Sequence, residues 1–177
     1  MGETPGGVMK GILVSIISLF LAAGFAFSYT MDYYGLKITG DVKFCQSVVR
    51  AFQVIQTLDT VGLNGDEGYS LFGIIANSGL KAIDSFSPDS YPEVTGGKLY
   101  DKRVIGLSDN KAKIYLLDDA NVYNQYDAII FHEVAHIYVA ERFPNLTEIQ
   151  QEARVREVVI IYERFKSLAE EAGYTFE

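Results

Sequence analysis

The sequence predicts an α+β fold in one domain, with a small β-hairpin or sheet packed against two long helices and further helices ahead of it. Three observations lead there. Residues 103–117 hold two short β-branched and aromatic runs around "SDNK". Residues 121–142 and 148–173 carry apolar side chains at helical intervals on either side of Pro144, and residues 41–62 do the same near the start. At 177 residues, 49% of them hydrophobic, the chain is the right size for one buried core.

Residues 9–30, "MKGILVSIISLFLAAGFAFSYT", run from a lysine through an unbroken apolar stretch at 11–27 into small residues. This layout predicts a secretory signal peptide over residues 1–28, with Ala26 and Ser28 at the small positions of a cut before Tyr29 and Met9 as an alternative start. The competing expectation is a retained membrane anchor, because spans need about 20 apolar residues. In both cases the domain at 29–177 is expected outside the cytoplasm, whether periplasmic, extracellular or membrane-tethered. Residues 29–40 fit either an ordered strand or a tether.

"GDVKFCQSVVRAFQVIQTLDTVG" opens on Asp41 as an N-cap, and Phe44, Val48, Ala51, Phe52 and Ile55 form one helical stripe that stops near Gly62. Cys45 lies beside that stripe and reads as a buried small hydrophobe; as the only cysteine it forms no intrachain disulfide. After a loop at 64–68, "YSLFGIIANSGLKAIDSF" is expected to form a helix whose ends the sequence leaves open, because Gly73 and Gly79 break its apolar spacing. "SPDSYPEVTGGK" at 87–98, with two prolines and a Gly-Gly pair, is expected to be a loop and a mobile flap. A hairpin follows, with strands at 103–107 and 112–117.

The next helix is expected from Asn121 to Arg142, ending ahead of Pro144, which pushes its predecessor out of the α region. Thr147 and Gln150 then make a capping box for a last helix that runs to Gly173. The net charge of −8 and the lack of any basic run exclude a nucleic-acid partner held through phosphates.

The chemistry concentrates in "AIIFHEVAHIYVA", residues 128–140, which contains both of the chain's histidines. His132 and His136 are four apart, so their imidazoles project from one helix face at a separation that lets both bind one metal ion. Glu133 falls beside that ion, where a carboxylate can take a proton from water. Buried without a partner, it would cost several kcal/mol or change its protonation state. The plain structural alternative pairs Glu133 with Arg142, Arg154 or Arg156.

The pattern His-Glu-x-x-His, with a hairpin before it and a tight turn and glutamate-bearing helix after it, resembles the zincin metallopeptidases over residues 112–161. That resemblance implies a zincin-like fold, one Zn2+ ion and hydrolysis of peptide bonds in a peptide or protein substrate. His132 and His136 would hold the metal with a third protein ligand, and Glu133 would pass the proton it accepts to the leaving amine. With no third histidine and the cysteine far upstream, the third ligand is expected to be a carboxylate, as in gluzincins. The motif helix extends about 9 Å beyond His136 at 1.5 Å per residue, so a returning helix brings Glu152 level with it. Glu148 and Glu157 are the alternatives, and Asp119 and Asp127 are candidate hydrogen-bonding partners of the ligands. The strand at 112–117 stands where zincins keep the edge strand that pairs with substrate. Tyr115, Tyr123, Tyr126 and Tyr138 are candidates by type for stabilising the transition state. Membrane contact is expected only through an uncleaved N-terminal segment. A non-catalytic zincin-like module that binds metal or protein is the competing function.

Overall fold

A computed structural model describes residues 28–63, 70–87, 90 and 104–176. Strands β1 (Tyr29–Tyr33) and β2 (Leu36–Gly40) precede helices α1 (Val42–Leu63) and α2 (Leu71–Asn77). Strands β3 (Ala82–Phe86), β4 (Gly106–Ser108) and β5 (Lys113–Leu117) follow, then a 3-10 turn at Tyr123–Gln125 and helices α3 (Tyr126–Arg142) and α4 (Glu148–Glu171). The fold is α+β, with one five-stranded sheet in the order β1-β2-β3-β5-β4. The leader, of which only Ser28 is described, and nearly all of the flap at 87–98 lie outside the described residues. Among the described residues no helix is long and apolar enough to cross a membrane.

Strands β2, β3 and β5 run parallel at the centre, with β1 and β4 antiparallel at the two edges. Their register aligns Ile38, Ile83 and Ile114 side by side, and all three are fully buried. Since side chains alternate across a strand, this row forms one face of the sheet. It shares a core with Phe44, Val48, Phe52 and Ile55 of α1, Ile130, Phe131, Val134 and Ile137 of α3, and Phe165 of α4. Cys45 is buried in the same core, as expected, and burial pushes its thiol up to about 11.

The helix starts follow their local signals. Asp41 accepts from the Phe44 N–H at 2.6 Å, and the capping box of Thr147 and Gln150 is present at the start of α4. The helix expected from Asn121 begins instead with the 3-10 turn, and α proper starts at Tyr126, whose hydroxyl donates to the Leu117 carbonyl at 2.7 Å.

Two expectations need correction, and one that the sequence leaves open is decided. The stretch at 69–86 is not one helix: α2 stops at Asn77, Gly79 takes the left-handed φ of +73° and the chain turns into β3. There the backbone gains partners on both sides, β2 and β5, so sheet pairing overrides the helix-like spacing. The residues left open between strand and tether form the β1–β2 hairpin. Its two-residue loop, Tyr34-Gly35, has φ of 53° and 85°, the positive pair that a tight hairpin turn of matching twist requires. The second hairpin is also shifted: β4 covers 106–108 rather than 103–107, of which Arg103 lies outside the described residues.

The reason for that shift lies in the loop between β4 and β5. The Asp109 carboxylate accepts from the N–H groups of Lys111, Ala112 and Lys113 at 2.8, 2.9 and 2.9 Å, which organises the turn around one side chain. Burial alone would raise the Asp109 carboxyl, but these three N–H groups and the Lys111 charge outweigh it and hold it below its ordinary value. A group depressed in the folded state stabilises above its unfolded pKa and loses that contribution as pH falls. Asp109→Ala is therefore expected to cost about 1 kcal/mol at neutral pH. Thermal melts should show the gap from wild type narrowing from about pH 5 toward about pH 2; a gap independent of pH would contradict this account.

Candidate functional site

Helix α3 is buried on most of its circumference. Ile130, Phe131, Val134 and Ile137 enter the main core, while Ala135 and Val139 form a second small cluster with Val155 of α4. The strip left over is polar. His132 is exposed, His136 is partly exposed, and Glu133, 8% exposed, points toward β4.

The two imidazoles converge as their spacing predicts. Their Nε2 atoms lie 3.2 Å apart, with ring centroids at 4.9 Å and planes at 68°. Two imidazole nitrogens on one tetrahedral zinc, each at about 2.0–2.1 Å, would be about 3.3 Å apart, so the pair fits a shared ion. Desolvation lowers both imidazoles toward the neutral form that ligates metals, and the Glu152 carboxylate opposes that shift.

Helix α4 returns antiparallel to α3 after the turn at Pro144, and it brings Glu152 to the histidines. Its Oε1 lies 3.7 Å from His136 Nε2, and the side chain is about half exposed. Glu157 is held by Arg154 at 2.5 Å, and Glu148 lines a surface hollow with Ile149 and Arg156 that Glu152 also borders. Of the three glutamates considered, Glu152 is the one that the contact at 3.7 Å sets against His136. Among the described residues no three His, Cys, Asp or Glu side chains close into a complete ligand set.

Of the three arginines the structural alternative names, Arg142 lies over the Tyr138 ring, Arg154 is taken by Glu157, and Arg156 lines a surface hollow with Glu148 and Glu152. Burial raises its carboxyl to about 7, hydrogen bonding from the Ser108 hydroxyl and main chain works the other way, and the Glu152 charge adds to the rise. Strand β4 passes directly over it. A Cβ on Gly106 would sit 2.4 Å from Ile129 Cγ2 and 3.3 Å from both Cγ and Oε1 of Glu133. Only glycine permits that approach.

Between β4 and α4 runs a groove of about 570 Å³, floored by Ile129, His132 and Glu133 and walled by Gly106 on one side and Val159 and Tyr162 on the other. The strand order corrects an expectation here. The strand at 113–117 is interior, paired on both sides, and the edge beside the groove is β4. A segment of helix-forming pattern became β3 and occupied the flank that β5 would otherwise expose.

The other polar candidates lie elsewhere. Asp127 is buried and accepts from the Tyr162 hydroxyl, with Lys166 Nζ at 3.6 Å, so it braces α3 against α4 rather than supporting a histidine. Asp119 accepts from Asn121 at the turn before α3. The hydroxyls of Tyr123 and Tyr126 are given to Asp118 and the Leu117 carbonyl, Tyr115 lies under Lys113, and Tyr138 under Arg142. Gly106, Ser108 and Tyr162 were not singled out from sequence. For Gly106 a signal existed, since a glycine inside a strand pattern marks a close approach.

Comparison of the chain with family models, with curated proteins and with solved structures finds no match in any of the three.

Gly106→Ala is expected to push β4 off α3 and destabilise the protein by about 1–3 kcal/mol. Urea unfolding monitored by circular dichroism checks this, and a midpoint unchanged from wild type would mean that β4 tolerates a side chain at this contact.

Proposed function

We propose that the chain is a zinc-dependent metallopeptidase with a zincin-like core, in which His132, His136 and Glu152 hold one Zn2+ ion and Glu133 is the general base. The observation that carries this reading is the convergence of the two Nε2 atoms at 3.2 Å with Glu152 facing them from the antiparallel helix. The half-exposed Glu152 side chain, with its Oε1 3.7 Å from His136 Nε2, is near enough to the imidazole pair to support its part as third ligand.

Bound zinc would supply an acidified water and a Lewis acid for the scissile carbonyl. The chain does the rest. Glu133, shielded from bulk water beside the groove, accepts a proton from the attacking water and delivers it to the leaving amine. The edge of β4 suits an extended peptide, since an added strand gains main-chain hydrogen bonds without a demand on sequence. The groove's apolar stretch at Ile129 and Val159 accommodates side chains of that peptide. Tyr162 lines the groove but donates its hydroxyl proton to Asp127, so it does not serve as a donor to a developing oxyanion. The apolar leader makes export part of the reading, with the substrate met outside the cytoplasm.

Purified protein is expected to bind one equivalent of zinc by metal analysis. His132→Ala should abolish that binding, and Glu152→Gln should weaken it about 10- to 100-fold. Failure of the wild-type protein to bind zinc would exclude the proposal.

Glu133→Gln should retain zinc and lose about 10²–10⁴-fold in peptide hydrolysis. Zinc binding with equal or no hydrolysis in both proteins would favour the non-catalytic metal-binding module instead.

A further inference from the structure

The groove beside Glu133 runs toward the start of α3. Its floor holds Ala128, Ile129, His132 and Glu133, all at or before the base in that helix. Its strand side holds Gly106 with Val104 and Ile105 ahead of it, so strand and helix both lead away from His136 and Glu152. Farther along stands Lys166, the one lysine or arginine that lines the groove among the described residues. Its ammonium sits beside Asp127. From Val134, midway between the two histidines, to Asp127 is about 10 Å of helix at about 1.5 Å per residue.

That ammonium is held in place without being saturated. Nζ lies 3.6 Å from Asp127 Oδ2, beyond hydrogen-bond reach, and the Asp127 carboxylate, whose side chain is 7% exposed, already accepts from the Tyr162 hydroxyl. An ammonium carries three N–H donors, so it can bridge a buried carboxylate and a second one arriving from the groove. The Lys166 side chain is 36% exposed, which leaves that second approach open. Glu163 on the same wall is exposed, and solvent screens its charge. A peptide strand added antiparallel to β4, the more stable of the two pairings, runs from beside Gly106 toward Val104, and its C-terminal part heads for Lys166. At about 3.4 Å per extended residue, about 10 Å brings the third residue beyond the attacked carbonyl level with the ammonium.

We propose that Lys166 is a specificity-determining residue that reads a substrate carboxylate on the leaving-amine side of the scissile bond, about three residues from it. The preferred substrates are then peptides with a negative charge at that place, supplied by the chain's own C-terminus or by an acidic side chain. The inference rests on the peptidase reading above and adds a substrate class to it. Ile129 and Val159 in the same groove are apolar and select for no charge. The net charge of −8 repels anionic peptides at long range, so a preference for a carboxylate has no source in the general field of the protein.

The test measures kcat and KM of the zinc-loaded protein on two series built from one peptide that it cleaves at a single bond. In the first, the peptide ends two, three, four or six residues past that bond, each as free acid and as amide. In the second, both ends are blocked and Glu or Gln stands at each of the first four positions past the bond. The expected result is a carboxylate preference of about 10-fold in kcat/KM, carried by KM and greatest around the third position. A preference in the first series assigns the C-terminus as the source, and one in the second assigns an acidic side chain. Lys166→Met should bring the preference below about two-fold, and Lys166→Arg should retain it. Each readout is a ratio between two substrates of one protein, so a lowered melting temperature in either variant does not imitate it. An active wild type indifferent to the carboxylate in both series, or a preference that survives in Lys166→Met, overturns this inference alone. A wild type that hydrolyses no peptide overturns the peptidase reading and this inference with it.

Discussion

The contact of Ala135 and Val139 with Val155 sets how α4 lies along α3. Small side chains at these positions let the two antiparallel helices come close, and ridge-into-groove packing then admits few alternative registers. In the register adopted, Glu152, one turn before Val155, is level with His136, and Tyr162, two turns beyond, reaches Asp127 and stacks on Phe131 at 5.3 Å. A slip of one turn would carry Glu152 about 5.4 Å along the axis and separate it from the histidines.

The same pair of helices shows how burial and polarity are reconciled. Asp127 is only 5% exposed, and it is tolerated because Tyr162 donates to it and Lys166 stands nearby. Tyr126, fully buried, gives its hydroxyl to a strand carbonyl. Glu133 is treated differently. It faces a groove that Lys166 also lines, and burial raises its carboxyl.

The sheet contributes by what it leaves at its edge. Three parallel strands carry the isoleucine row that seats α1 and α3, and they are fully paired. The antiparallel β4 is three residues long and has one flank on β5 and the other over the motif helix. Its shortness limits the exposed edge, which restrains unwanted strand addition, and the remaining edge lies beside Glu133 and the groove.

What could be read from sequence was whatever depends on near neighbours in the chain. The helices α1, α3 and α4 were legible because the apolar spacing and the caps at Asp41 and Thr147 act within one turn. The His132–His136 pair was legible for the same reason, since positions four apart share a face in any α-helix. Glu152 was within reach because a tight turn and two rigid helices leave little freedom in between. The strand β3 was not legible: Ala82–Phe86 takes its conformation from partners at residues 37–39 and 113–117, and no local pattern announces them. Nor was the strand order, on which it depends whether β5 or β4 borders the groove, or the approach of Gly106 and Ser108 to Glu133. Sequence determined the ligand-type side chains and the helix face they share, because backbone periodicity is local. The tertiary structure alone decided which sheet edge lies beside them, because strand pairing joins residues far apart in the chain and is chosen by burial of the whole core.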